Sequence, residues 1–262
     1  MGRGIELWRG PSQLTGEPVV LIATAGSKNA KTGDMIQTWI LSQHYHPAEA
    51  AKGGQHDEMI CGGCPLRGSQ ETTRRCYVNV TFAPAAIWNA WKRRSYGAYL
   101  LPNAWIGKAL RVGAYGDPAA VPLDVWLSLF VHLKPKKWTG YTHQWETCPE
   151  GFATFCMASV ETAEQAVRAQ AKGYRTFRTG WEGLPGETHC PASVEMGHRS
   201  TCEKCGLCNG MRGVMDKRGS IFIHPHGSTA KRFLTGDVGG GRLGSHHATQ
   251  TPNPSSLVSP LR

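Results

Sequence analysis

The chain has 262 residues, 40% of them hydrophobic, with 29 Lys and Arg against 19 Asp and Glu and a formal net charge of +10. That length suffices for a full core, and the absence of any long apolar run sets aside a bilayer-spanning class. Nine cysteines behind an N-terminus without a secretory signal pattern place the protein in a cytosol and read as ligands or reduced core residues rather than disulfides.

In chain order, residues 1–17 carry no clear period and read as an irregular leader. Pro18 to Ala25, short, apolar and partly β-branched, predicts a strand. In the GSKNAKTGD stretch that follows, the Lys-Thr pair precedes its glycine, so it reads as a polar turn and not a phosphate loop. Ile36 to Leu41 predicts a second strand. Pro84, Ile87, Trp88 and Trp91 recur at helical spacing, and Lys92-Arg93-Arg94 complements the helix dipole at its carboxyl end. Leu110 to Tyr115 predicts a strand that runs into Gly116-Asp117-Pro118. A helix from about Pro122 sets Leu123, Trp126, Leu127, Phe130 and Val131 on one face and stops before Pro135. Trp138 to Trp145 and Phe155 to Val160 read as strands. Thr162 and Gln165 form a capping box for a helix with the inner stripe Ala163, Ala166, Val167 and Ala171, ended by Gly173. Tyr174 to Thr179 and Ser220 to His224 complete the strands. From His226 the composition shifts to Gly, Ser, Pro and Thr, expected as a flexible tail.

Strand and helix in alternation predict an α/β fold with a parallel sheet, open or closed into a partial or complete (β/α) barrel. The expected divisions are a leader at 1–17, a barrel-like domain at 18–185, a cysteine-rich segment at 186–225 packed on it, and a tail at 226–262. Chemistry in such sheets gathers at the carboxyl ends of the strands. That rule nominates Asp117, His143, Glu161 and Arg178, each of which also reads as a polar cap.

The strongest pattern is cysteine spacing. Cys202-x2-Cys205-x2-Cys208, with Cys190 upstream, converges four thiolates on one site, a 4Fe–4S cluster or a four-cysteine zinc knot. Gly206 and Gly210 allow the backbone to turn there, and Lys204 and Arg212 would offset the charge. Cys61-x2-Cys64-x11-Cys76 supplies three thiolates and no evident fourth, which would leave one iron open to an outside ligand. His44, His46 and His56 read as solvent-facing loop residues, Cys156 as a core residue and Cys148 as a spare loop thiol. The scattered basic residues, among them Arg74-Arg75 and Lys134 to Lys137, fit either a solvated surface or a nucleic-acid footprint.

Together, Cys61-x2-Cys64…Cys76-Tyr77, the strand ending Gly116-Asp117-Pro118, Tyr141-Thr142-His143 and the C-terminal cysteine block resemble a family of bacteriophage proteins related to the radical S-adenosylmethionine (SAM) barrels, over roughly residues 18–225. The resemblance implies a 4Fe–4S cluster on Cys61, Cys64 and Cys76 with SAM on its open iron. Gly116, Asp117 and Pro118 would stand where that superfamily has Gly-Gly-Glu-Pro, with Asp117 on the SAM ammonium. A second cluster on Cys190, Cys202, Cys205 and Cys208 is implied as well. The three-cysteine spacing departs from the usual C-x3-C-x2-C. The implied activity is radical modification of a nucleotide, base or nucleic acid, fed by an external electron donor in a host cytoplasm. The opposing expectation is a non-catalytic module, stapled by zinc or iron–sulfur sites, that binds nucleic acid or protein.

Overall fold

The computed structural model describes residues 4–225 apart from 27, 28, 55, 99, 100 and 214, so the expected tail at 226–262 lies outside the described residues. The expected irregular leader at 1–17 contains a strand. β1 (Gly4–Pro11) pairs antiparallel with β2 (Pro18–Thr24), from Gly4↔Thr24 to Pro11↔Pro18. Its pattern was obscured by Glu6, a buried carboxylate where a strand would carry an apolar residue. Glu6 is tolerated because Arg9 and the Trp91 indole, at 2.7 Å, both donate to it.

β2 and β3 (Ile36–Ser42) pair antiparallel, and from β3 onward the strands turn parallel. β4 (Gly97–Ala98) lies beside β1, and β5 (Leu110–Tyr115) joins β3 to β6 (Trp138–Thr139), giving the order β4-β1-β2-β3-β5-β6. Every residue of β3 is buried, as expected of a strand covered on both faces. The second sheet holds β7 (Tyr141–Thr142), β8 (Met157–Val160), β9 (Thr176–Thr179), β10 (Glu187–His189) and β11 (Ser220–Ile223). Its order is β10-β11-β9-β8-β7, parallel throughout. The fold is therefore α/β with two mostly parallel sheets. It does not close: β4 and β10 remain edges, so the complete barrel is not formed among the described residues.

The expected strand Trp138 to Trp145 is cut short and shared between the sheets. Gly140 separates β6 from β7, donating its amide to Cys208 O at 3.0 Å and accepting from Met157 N at 2.9 Å. Residues 186–225 supply β10 and β11 to the second sheet as well as carrying cysteines, so they are woven into it and not merely packed on it.

The helices are α1 (Pro47–Ala50), α2 (Glu58–Cys61), α3 (Ala83–Lys92), α4 (Leu123–Leu133), α5 (Ala163–Ala171) and α6 (Cys202–Cys205). None is long and apolar enough to cross a membrane among the described residues. The Thr162–Gln165 capping box forms as expected. The buried stripe of α4 is Trp126, Leu129 and Leu133, while Leu127 and Val131 are exposed. Nearly every position of α4 is apolar, so periodicity fits two rotations. The Trp126 indole, hydrogen-bonded to Pro118 O at 2.9 Å, selects one of them. On α5, Ala166 and Ala169 are buried, and Val167, expected in the stripe, faces solvent.

Candidate functional site

The loop of Cys61, Cys64 and Cys76 lies over the carboxyl ends of β5, β7 and β8. α2 ends at Cys61, and the Asp117 amide, just past β5, donates to Ile60 O at 2.6 Å. Gly116 makes that approach feasible. Its φ is +84°, and a Cβ there would stand 2.7 Å from Ile40 Cβ and 3.2 Å from Ile60 O. Past β7, Gln144 Nε2 donates to Cys61 O at 3.1 Å and its Oε1 accepts from Gly63 N at 3.2 Å. Beneath the loop the fully buried Asp57 accepts from Arg67 at 3.0 Å and Arg74 at 2.8 Å. None of Asp57, Arg67 and Gln144 was visible as a site residue from sequence, because partners 10 to 83 positions apart across irregular loops leave no periodic trace. Arg74 was visible only as part of a basic pair.

The three thiols are mutually close in electrostatic reach. Burial pushes Cys61 well up, and Cys64, Asp57 and Cys76 add to it, while Arg74 opposes. Burial also raises Cys76, with Arg74 lowering it and Cys64 raising it further. Three of the four nominated polar residues meet here. His143 Nε2 stands 3.9 Å from Cys64 Sγ and 3.1 Å from Glu161 Oε1. Burial alone would push the imidazole down, but Cys64 and Glu161 outweigh it and hold it well above its ordinary value. One nitrogen faces both neighbours, so the three do not form a nucleophile–base–carboxylate relay, which needs opposite ring nitrogens.

Asp117 acts as a bracket. Its buried carboxylate accepts from Ala119 N at 3.0 Å, Thr142 Oγ1 at 2.7 Å and His143 N at 2.8 Å. Burial raises its pKa, and the bond from Ala119, the charge of His143 and the remaining bonds pull it back in part. This carboxylate is turned to protein donors rather than to a ligand's ammonium, a correction to the role expected of Asp117. Arg178 is corrected too. Phe177 lines a cavity, so its neighbour points to the opposite face of the sheet, where Arg178 pairs with Glu187 at 3.0 and 2.6 Å and donates to Glu182 O.

Cys190, Cys202, Cys205 and Cys208 form a second, separate group. Burial raises Cys190, Cys202 and Cys208, and the members of the group raise one another. The cations that lower Cys190 and Cys202 are Lys31 and Arg111, from outside the segment, in place of the expected Lys204 and Arg212. The segment is tied down by Cys202 N and Glu203 N, both 3.0 Å from the Lys31 and Thr32 carbonyls, so the polar turn before β3 serves as its anchor. Arg175, ahead of β9, donates to Leu207 O at 2.7 Å. At Gly210 a Cβ would meet Ala153 O and Phe155 N at 2.6 Å, ahead of β8. Tyr141 packs against the cluster that holds Cys208.

A cavity of about 240 Å³ separates the groups, with Leu66 and Tyr77 of the first loop on one side, Cys190 and Cys202 on the other, and Arg111, Tyr141 and Phe177 between them. Outside both groups, Cys156 is buried in the core and Cys148 Sγ meets Tyr174 OH at 3.3 Å. His46 caps α1, and His56 stacks on Tyr45 with centroids 3.9 Å apart. All nine cysteines are free thiols. Among the described residues no three His, Cys, Asp or Glu side chains converge on a point that could hold a single metal ion. A tetrahedral zinc would need its sulfurs only about 3.8 Å apart. No protein family, curated protein or solved structure matches the chain.

Proposed function

We propose that the chain is an iron–sulfur protein of radical SAM type that acts on a nucleotide, a base or a nucleic acid. The observation that carries this reading is the sorting of seven thiols into a group of three at the carboxyl ends of parallel strands and a separate group of four. Cys61, Cys64 and Cys76 would hold one 4Fe–4S cluster, and Cys190, Cys202, Cys205 and Cys208 a second. The donor chemistry fits. Burial, with like-charged neighbours, raises Cys61, Cys76, Cys190, Cys202 and Cys208, and a cation bound among them would reverse that preference. When bound, a cluster with one iron free of protein ligands supplies reductive cleavage of SAM to a 5′-deoxyadenosyl radical, given an external electron donor. The chain's own part is to hold the loop on Asp57, Arg67 and Arg74 and to offset thiolate charge with Arg74. A partial (β/α) barrel agrees with the parallel run from β3 to β11.

His143 favours a second reading, a closed three-cysteine, one-histidine site in a non-catalytic binding module holding zinc or an inert cluster. Its engagement with Glu161 through the nitrogen that faces Cys64 counts against that role. Anaerobic purification with iron, sulfide and zinc analysis, followed by reduction with SAM and an assay for 5′-deoxyadenosine, tests both. The proposal expects about eight irons per chain, formation of 5′-deoxyadenosine, and unchanged iron in His143→Ala. Zinc without iron, or loss of metal from the first site in His143→Ala, would support the closed module.

A further inference from the structure

A second cavity, of about 470 Å³, opens beside the first and shares Asn29, Tyr77 and Arg111 with it. Its wall is formed by Gln37 and Trp39 of β3, Arg111 of β5, and Asn79 and Phe82 ahead of α3. Gln37 is only 5% exposed, yet its side-chain amide forms no hydrogen bond among the described residues. Its amide opens onto the cavity, where water or a ligand can complete its hydrogen bonds. Arg111 lies beside the Tyr77 hydroxyl, and no carboxylate pairs with it among the described residues. Among the described residues no Asp or Glu lines either cavity, whereas Arg111 and Lys31 do. Flat faces are supplied by Trp39, whose indole is held by Thr24 Oγ1 at 2.9 Å, by half-exposed Tyr77 and by exposed Phe82 at the rim.

A cavity-facing donor–acceptor amide, a guanidinium with no carboxylate partner among the described residues and aromatic faces in one cavity of ligand size match a planar heterocycle with a hydrogen-bonding edge and an attached anion. We infer that this cavity is a nucleotide site, in which the Gln37 amide reads the edge of the base, Trp39, Tyr77 and Phe82 flank the ring, and Arg111 takes the phosphate. The inference rests on the function proposed above only in calling the nucleotide a substrate. A cationic sulfonium finds no counter-charge in this cavity, so SAM is not the ligand it selects.

The test is calorimetric titration of the full chain, purified anaerobically, with the four ribonucleoside 5′-monophosphates, adenosine, inorganic phosphate, SAM and a short single-stranded oligonucleotide. At least one monophosphate is expected to bind, with adenosine and phosphate alone each at least about tenfold weaker. If the natural ligand is a nucleotide within a strand, the oligonucleotide binds more tightly than any monophosphate and still depends on Gln37. Arg111→Gln should weaken binding at least about tenfold, but its charge also reaches Cys202. Gln37→Leu is therefore the decisive variant: it should weaken binding at least about tenfold while leaving the iron content and the thermal midpoint unlowered, because it deletes an amide that has no partner. Three results would overturn the inference: no binding of monophosphate or oligonucleotide, binding indifferent to Gln37, or displacement by SAM. Iron content and 5′-deoxyadenosine formation report on the thiol sites separately, so either idea can fail while the other stands.

Discussion

Replacing Asp57 with alanine is the sharpest test of how the first thiol loop is held. The carboxylate is fully buried and bonded to two guanidiniums at 3.0 and 2.8 Å, which are themselves only 17% and 18% exposed. Asp57→Ala leaves both arginines without their shared counter-charge in a poorly solvated place. Breaking a buried pair from one side costs about 3–5 kcal/mol. Asp57 precedes α2 but makes no side-chain cap bond, so no separate capping loss adds to that figure. Against a typical domain stability of about 5–15 kcal/mol, the loss is about a fifth or more. Urea denaturation in anaerobic, reducing buffer should report it as a lower midpoint with an unchanged slope. A triple change, Asp57→Leu with Arg67→Met and Arg74→Met, should recover most of the loss, since an apolar replacement of a whole buried ion cluster is often neutral. A single variant within about 1 kcal/mol of the parent, or a triple variant less stable than the single, would refute the reasoning.

Gly116→Ala should destabilise by about 2–4 kcal/mol, combining a left-handed φ with a clash into β3 and α2. Gly173→Ala, with φ +83° and nothing near its Cβ, should lose only about 1–2 kcal/mol in the same denaturation series, and equal losses would remove the argument from close approach. Glu187→Ala strands Arg178 and should cost about 3–5 kcal/mol in stability without altering the metal content of the first thiol group; a purely catalytic Arg178 would give the reverse pattern. Cys76→Ala should empty the first metal site and spare the second, and Cys205→Ala the converse, as read by iron and sulfide analysis. Joint loss in either variant would mean the groups are one site.

That Cys61 neighbours Cys64, and Cys202 neighbours Cys205 and Cys208, follows from spacing alone, because residues three apart stay close wherever the chain goes, whereas Cys76 and Cys190, each twelve residues from the next cysteine, are brought in by the fold. The apolar runs of β2 and β3 and the Thr162–Gln165 box were legible for the same reason, their determinants lying within one element. β1 was not, since the burial of Glu6 makes sense only once Trp91 is beside it. The polar residues at strand ends were found as a set, but their roles were not. Asp117 and Arg178 both end their strands with a charge, and only the partners waiting there, Thr142 and the His143 amide for one and Glu187 for the other, make them structural.

Local pattern in this protein was thus determined by the sequence itself: which cysteines stand three apart, which runs are strands and where one helix begins. Tertiary structure decided what faces what. It set the rotation of α4, turned the nominated arginine away from the cavity, and brought Gln37 and Arg111, 74 positions apart, to one wall. The physical reason is that a side chain's function depends on which charges and donors surround it once water is excluded, and those neighbours come from distant parts of the chain.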